Sequence, residues 1–172
     1  MRRCAECAGR RLAFGWARAA LIYDGPARSL IRAWKEQGLR TLAPIAAELV
    51  VDAVPRPDAA ALVAVPPDRD RRLLRGEHPA TALARELAVR WRLPVAEPIV
   101  RTGESRRQAG LPRARRRANV RGAFLPTAAG PRSACLVDDV YTSGETINAA
   151  AAALRRAGTV AVGAVSLARA VR

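Results

Sequence analysis

Apolar residues along this chain fall into short unbroken runs that alternate with longer stripes at helical spacing. The first run, Ala19–Tyr23, stops at Asp24-Gly25-Pro26 and reads as a strand entering a turn. Pro26 suits a first helical turn, Ala27, Leu30, Ile31 and Trp34 recur at helical spacing, and Gly38 sits where a C-terminal cap belongs. A second helical stretch, Leu42 to Val54, ends at Pro55. Ala61–Val65 has the unbroken apolar character of a strand buried on both faces, and Pro66-Pro67 halts it ahead of a charged loop from Asp68 to Gly76. Pro79 to Trp91 puts Leu83, Leu87 and Trp91 on one stripe of a helix, and Trp34 and Trp91 are expected in the core. Pro94 to Val100 suggests a further strand. Arg101 to Arg121 is polar and crowded with Arg, a loop preceding a strand at Gly122–Leu125. The last third predicts a strand at Ala134–Val137, a polar turn, a helix from Glu145 to Ala157 closed by Gly158, and a strand at Val160–Leu167.

Strands alternating with helices imply an α/β fold, a mostly parallel central sheet flanked by helices. No internal repeat or low-complexity tract interrupts the pattern. The organisation expected is a short segment at residues 1–16 followed by one domain over residues 17–172.

Composition narrows the class. Half of the 172 residues are apolar and 26% are charged, with 12 Gly and 12 Pro spread along the length, which excludes a disordered or fibrous chain. Cys4, Cys7 and Cys135 are too few and too unevenly placed for a disulfide framework, so a reducing compartment, the cytoplasm, is expected. No apolar stretch follows the charges at the N-terminus and none reaches about 18 residues, so neither secretion nor a membrane partner is expected. The net charge of +15 favours a polyanion. Lys35 is the only lysine, however, and so strong an Arg bias also follows from GC-rich coding, so only clustering of the charges distinguishes function from drift.

In a parallel α/β sheet, ligands bind beyond the carboxyl ends of the strands. The informative segment is therefore Ala134 to Thr146. Ala134-Cys135-Leu136-Val137 deliver Asp138 and Asp139 to a strand end, and a short turn rich in hydroxyls then opens a helix. Thr142, Ser143 and Thr146 add hydroxyl donors to the free N–H groups of a helix start, and Gly144 lets the backbone approach closely. Such a turn holds a phosphate. Two carboxylates beside a bound anion need hydroxyl or cationic partners, and ribose 2′- and 3′-hydroxyls supply them.

This segment closely resembles the thirteen-residue 5-phosphoribosyl-1-pyrophosphate (PRPP) motif of type I phosphoribosyltransferases. Other pieces resemble the competence-associated ComF family of that superfamily: Tyr23, Gly25, Leu30-Ile31, Lys35 and Gly38; Val63 to Pro67 followed by Arg71, Arg72, Arg75 and Gly76; Gln108 to Leu111, Arg115-Arg116-Arg117, Asn119-Val120 and Gly122-Ala123-Phe124. The chain departs from the family where Gly76-Glu77-His78-Pro79 replaces Gly-Phe-Asn-Gln. It departs again at the N-terminus, where Cys4 and Cys7 are one pair of a zinc ribbon that needs two. A site shared between two chains, a start further upstream and a decayed ribbon all fit that remnant.

The resemblance implies a type I phosphoribosyltransferase fold and Mg²⁺-assisted transfer of the phosphoribosyl group from PRPP to an acceptor, with release of pyrophosphate. Asp138 and Asp139 then take the ribose hydroxyls as catalytic residues, and Thr142, Ser143, Gly144, Glu145 and Thr146 the 5′-phosphate. Arg71 and Arg72 are favoured for pyrophosphate, since guanidinium forks suit phosphate. Mg²⁺ is carried by PRPP oxygens and water, with no metal site of the protein's own. The alternative is a non-catalytic accessory of natural transformation and DNA uptake that binds PRPP or single-stranded DNA, the latter through the Arg101–Arg121 loop. A second copy of the chain, making a homodimer, is the other candidate partner.

Overall fold

The computed structural model describes residues 9–37, 39, 41–67, 78–102 and 122–171. In chain order the elements are β1 (Trp16–Ile22), α1 (Gly25–Gln37), α2 (Leu42–Ala53), β2 (Ala61–Ala64), α3 (Pro79–Trp91), β3 (Ile99–Arg101), β4 (Phe124–Pro126), β5 (Ser133–Tyr141), α4 (Glu145–Arg156) and β6 (Ala161–Arg169). Four strands form a parallel sheet in the order β1-β6-β5-β2, and β3 and β4 pair separately as an antiparallel ribbon. This is the α/β architecture with a parallel central sheet that the alternation of runs and stripes implies.

Burial explains the layering. β5 and β6 lie in the middle of the sheet and are covered on both faces, which is why both are continuously apolar until their carboxyl ends. On one face Leu62, Cys135, Val137, Val165 and Leu167 pack against α1, α2 and α3 through Ile31, Trp34, Val50, Leu87 and Trp91. On the other, Val63, Leu136 and Ala164 meet α4 through Ile147 and Leu154, together with Phe14 and Phe124. Trp34 and Trp91 are in the core as expected, 3% and 4% exposed. No described helix is long and apolar enough to cross a membrane.

Several boundaries move, each for a physical reason. β1 begins at Trp16 rather than Ala19, because an edge strand tolerates an exposed residue such as Arg18 that breaks an apolar run. Pro94 to Val100 is not one strand. Val95 makes a single parallel bridge to Leu62, with Leu62 N–H donating to Pro94 O at 2.9 Å and Ala96 N–H donating to Leu62 O at 2.9 Å. Beyond Pro98 the chain leaves the sheet and pairs with β4 instead, Ile99 opposite Pro126. The segment before β1 is packed as well. Phe14 is 5% exposed, and Gly15 N–H donates to Val162 O at 2.8 Å.

Candidate functional site

The sequence places Asp138 and Asp139 just past a strand ending at Val137, whereas β5 runs on to Tyr141. The reason is its neighbour. β2 pairs with β5 only as far as Ala64 opposite Val137, but β6 stays alongside, with Asp138 opposite Ser166 and Tyr141 opposite Arg169. Both carboxylates therefore sit inside the strand, where β1, β6 and β5 run on past the end of β2 at the carboxyl edge of the sheet. Strand alternation puts Asp139 on the face of Val137, toward α1, and Asp138 on the face of Leu136.

Both are buried, Asp138 8% and Asp139 5% exposed. Lys35 of α1 brings its Nζ to 2.5 Å from Asp139 Oδ2, an ion pair rather than an aligned hydrogen bond. The only lysine of the chain thus meets the only acidic doublet. Asp138 Oδ1 accepts the Asp139 N–H at 2.9 Å. Burial pushes the Asp138 carboxyl up to about 8, the Asp139 charge adds to the rise, and the Asp139 N–H and Lys35 oppose it. Burial thus favours the protonated form of Asp138, which can donate as well as accept a hydrogen bond.

Two residues further on, the chain turns. Gly144 stands at the N-cap of α4 with φ 73°, and no side chain caps this end. The left-handed conformation favours glycine, and so does space, because a Cβ at Gly144 would run into the Tyr141 ring. Arg169 lies over the other partner of that contact, its guanidinium carbon 5.8 Å from the Tyr141 ring centre. Thr142 is exposed, and Ser143, Glu145 and Thr146 are half-buried. The first N–H groups of α4 have no acceptor four residues back within the helix, so the turn presents donors and a positive dipole end. Phosphate is the anion such an end suits.

The structure thus gathers Asp138, Asp139, Thr142, Ser143, Gly144, Glu145 and Thr146 at one edge of the sheet. It adds three residues that sequence reasoning passed over. Tyr141 and Arg169 line the turn as described, and Arg10 donates from Nη1 to Ser143 O at 3.0 Å and from Nη2 to Glu145 Oε1 at 2.7 Å. Nothing in the pattern pairs Arg10 with residues more than a hundred positions away. Val65 N–H donates to Val137 O at 2.9 Å, so the chain leaves β2 beside Asp138. Arg71 and Arg72, which follow, lie outside the described residues. So do Cys4, Cys7, Gly38 and residues 103–121 of the Arg-rich loop. At the start of that loop Arg101 is described, its guanidinium 5.4 Å from the Phe124 ring centre. No group of three His, Cys, Asp or Glu side chains comes together among the described residues. Compared with known proteins, the chain matches no protein-family model and no curated protein.

Proposed function

We propose that the chain binds PRPP with Mg²⁺ and transfers its phosphoribosyl group to an acceptor, releasing pyrophosphate, as a type I phosphoribosyltransferase of the ComF kind. One observation carries this reading. A buried acidic pair on the last residues of β5 is followed at once by an uncapped helix start rich in hydroxyls, at the carboxyl edge of a parallel sheet. A ribose 5-phosphate needs those two halves at that spacing, diol acceptors and an anion cradle. A plain anion site has no use for the carboxylates.

In this reading the 5′-phosphate takes the N–H groups of Gly144 and Glu145 and the hydroxyls of Thr142, Ser143 and Thr146. The ribose hydroxyls turn to Asp138 and Asp139. Lys35 holds Asp139 in place, and Asp138, whose burial favours the protonated form, donates to a ribose oxygen or accepts from it as the site demands. In the transfer the bond from C1 to pyrophosphate breaks and the acceptor bonds to C1. The residues supply position and charge stabilisation rather than a nucleophile. Mg²⁺ would be held by PRPP oxygens and water, the hard donors that ion prefers, while Asp138 and Asp139 serve the ribose hydroxyls and Lys35 offsets the Asp139 charge. Once bound, that ion would neutralise the charge leaving with pyrophosphate. Arg71 and Arg72 remain the proposed pyrophosphate ligands.

Calorimetric titration of PRPP with Mg²⁺ tests the reading. Wild type should bind, and Asp138→Asn/Asp139→Asn, folded by its melting curve, should lose at least about tenfold in affinity, because each amide keeps one neutral acceptor oxygen in place of the carboxylate pair. A folded wild type that takes up no PRPP overturns the proposal. The next titration would then be single-stranded DNA against salt, with Arg115, Arg116 and Arg117 neutralised for comparison.

A further inference from the structure

An anion cradle should not contain an anion of its own, yet Glu145 is the first residue of α4, in the middle of the proposed phosphate turn. Left alone, its carboxylate would be drawn to the same helix start and would repel a phosphate there. Arg10 meets this charge. Its guanidinium spans the turn, with Nη2 on Glu145 Oε1 at 2.7 Å and Nη1 on Ser143 O at 3.0 Å, one contact on each side of Gly144. Both partners of the ion pair are about three-quarters buried, their side chains 28% and 25% exposed, so the pairing is screened less than a surface bridge.

The segment carrying Arg10 is anchored along α4. Ala13 N–H donates to Asn148 Oδ1 at 2.7 Å, Arg155 Nε donates to Ala13 O at 3.1 Å, and Phe14 is buried beside them. The guanidinium is thus delivered from outside the sheet by a strap lying along the helix it serves. Its two bonds also direct acceptors, the Ser143 carbonyl and the Glu145 carboxylate, toward the strap, which leaves the N–H groups of the turn to the ligand.

We infer that Arg10 is a positioning residue of the phosphate turn, holding Glu145 and the Ser143 carbonyl away from the bound anion so that it meets donors alone. This rests on the reading of that turn as a phosphate site.

The test uses the full chain, with ribose 5-phosphate and inorganic phosphate as probes, titrated calorimetrically at low salt. Arg10→Met should weaken both by about tenfold, and Arg10→Lys, which keeps the charge but not the fork, by less. The discriminating variant is Arg10→Met/Glu145→Gln. If Arg10 acts by removing the Glu145 charge, the double substitution returns affinity to within about threefold of wild type. A strap that merely props the fold gives no such rescue. Melting curves establish that each variant is folded, and if Arg10→Met is not, Arg10→Lys and the double variant decide. Wild-type affinity in Arg10→Met, or a loss that Glu145→Gln leaves in place, overturns the inference while the phosphate site stands. A wild type that binds neither probe overturns the site itself, and the role of Arg10 with it.

Discussion

Asp138 is costly to ionise where it sits. Its carboxyl is raised to about 8 by burial first and the neighbouring Asp139 second, against an ordinary value of 3.8. A raised acid binds its proton more tightly in the folded chain than in the unfolded one. Stability therefore falls as pH rises from about 4 through about 8, and the loss is complete above that. Asp138→Asn removes the titration, so its stability relative to wild type should grow across this window and level off beyond it. Urea unfolding at a series of pH values reads this directly. Lys35→Met should extend the wild-type fall to higher pH, since Lys35 is one of the groups that hold the carboxyl down. A wild type with no loss of stability between those limits would contradict the buried, protonated carboxyl. Lys35 also shows what a single residue tells in advance. A lone lysine in an Arg-rich chain hints at a point charge, but the hint names no partner.

At the scale of elements, β1 depends on a missing side chain. Trp16 lies across Gly163 of β6, and a Cβ at Gly163 would enter the indole ring. Gly163→Ala should then cost about 2 kcal/mol and lower the melting temperature by about 6 °C. An unchanged melting temperature would mean that β1 is not held at this register. Differential scanning calorimetry makes the measurement. The same contact explains why the strand starts three positions before its apolar run, at a tryptophan whose partner is a glycine distant in sequence. The extension of β5 past Val137 has a similar origin, in the length of β6. An acidic doublet reads locally as the end of a strand, and only the adjacent strand shows that pairing continues.

For the molecule as a whole, Cys135 reports on cooperativity. It lies in the central strand, fully buried, and burial pushes its thiol up to about 12. In a Cys4→Ser/Cys7→Ser variant a disulfide reagent should label Cys135 only at the rate of global opening, and at once in denaturant. Rapid labelling of the native chain would show that the two layers around β5 part locally. Those layers are unequal in their tasks. α1, α2 and α3 cover one face and deliver Lys35 to Asp139, while α4 covers the other and presents the turn. The carboxyl edge where they meet collects residues from the N-terminal strap, α1, β5, α4 and β6.

Read alone, the amino-acid sequence carries the alternation of strands and helices, the parallel sheet, the core positions of Trp34 and Trp91, and the strand-turn-helix run from Asp138 to Thr146. Those features are local in the chain, since periodicity, Pro, Gly and a strand-turn-helix motif act over a few residues. It takes the folded chain to show that Asp138 and Asp139 stay within β5, that Lys35 pairs with Asp139, that Pro94 to Val100 divides between two sheets, and that Arg10 reaches Ser143 and Glu145. Each of these is a contact between segments far apart in the chain. Such contacts depend on which strands lie side by side and how far each one runs, and no window of neighbouring residues carries that information.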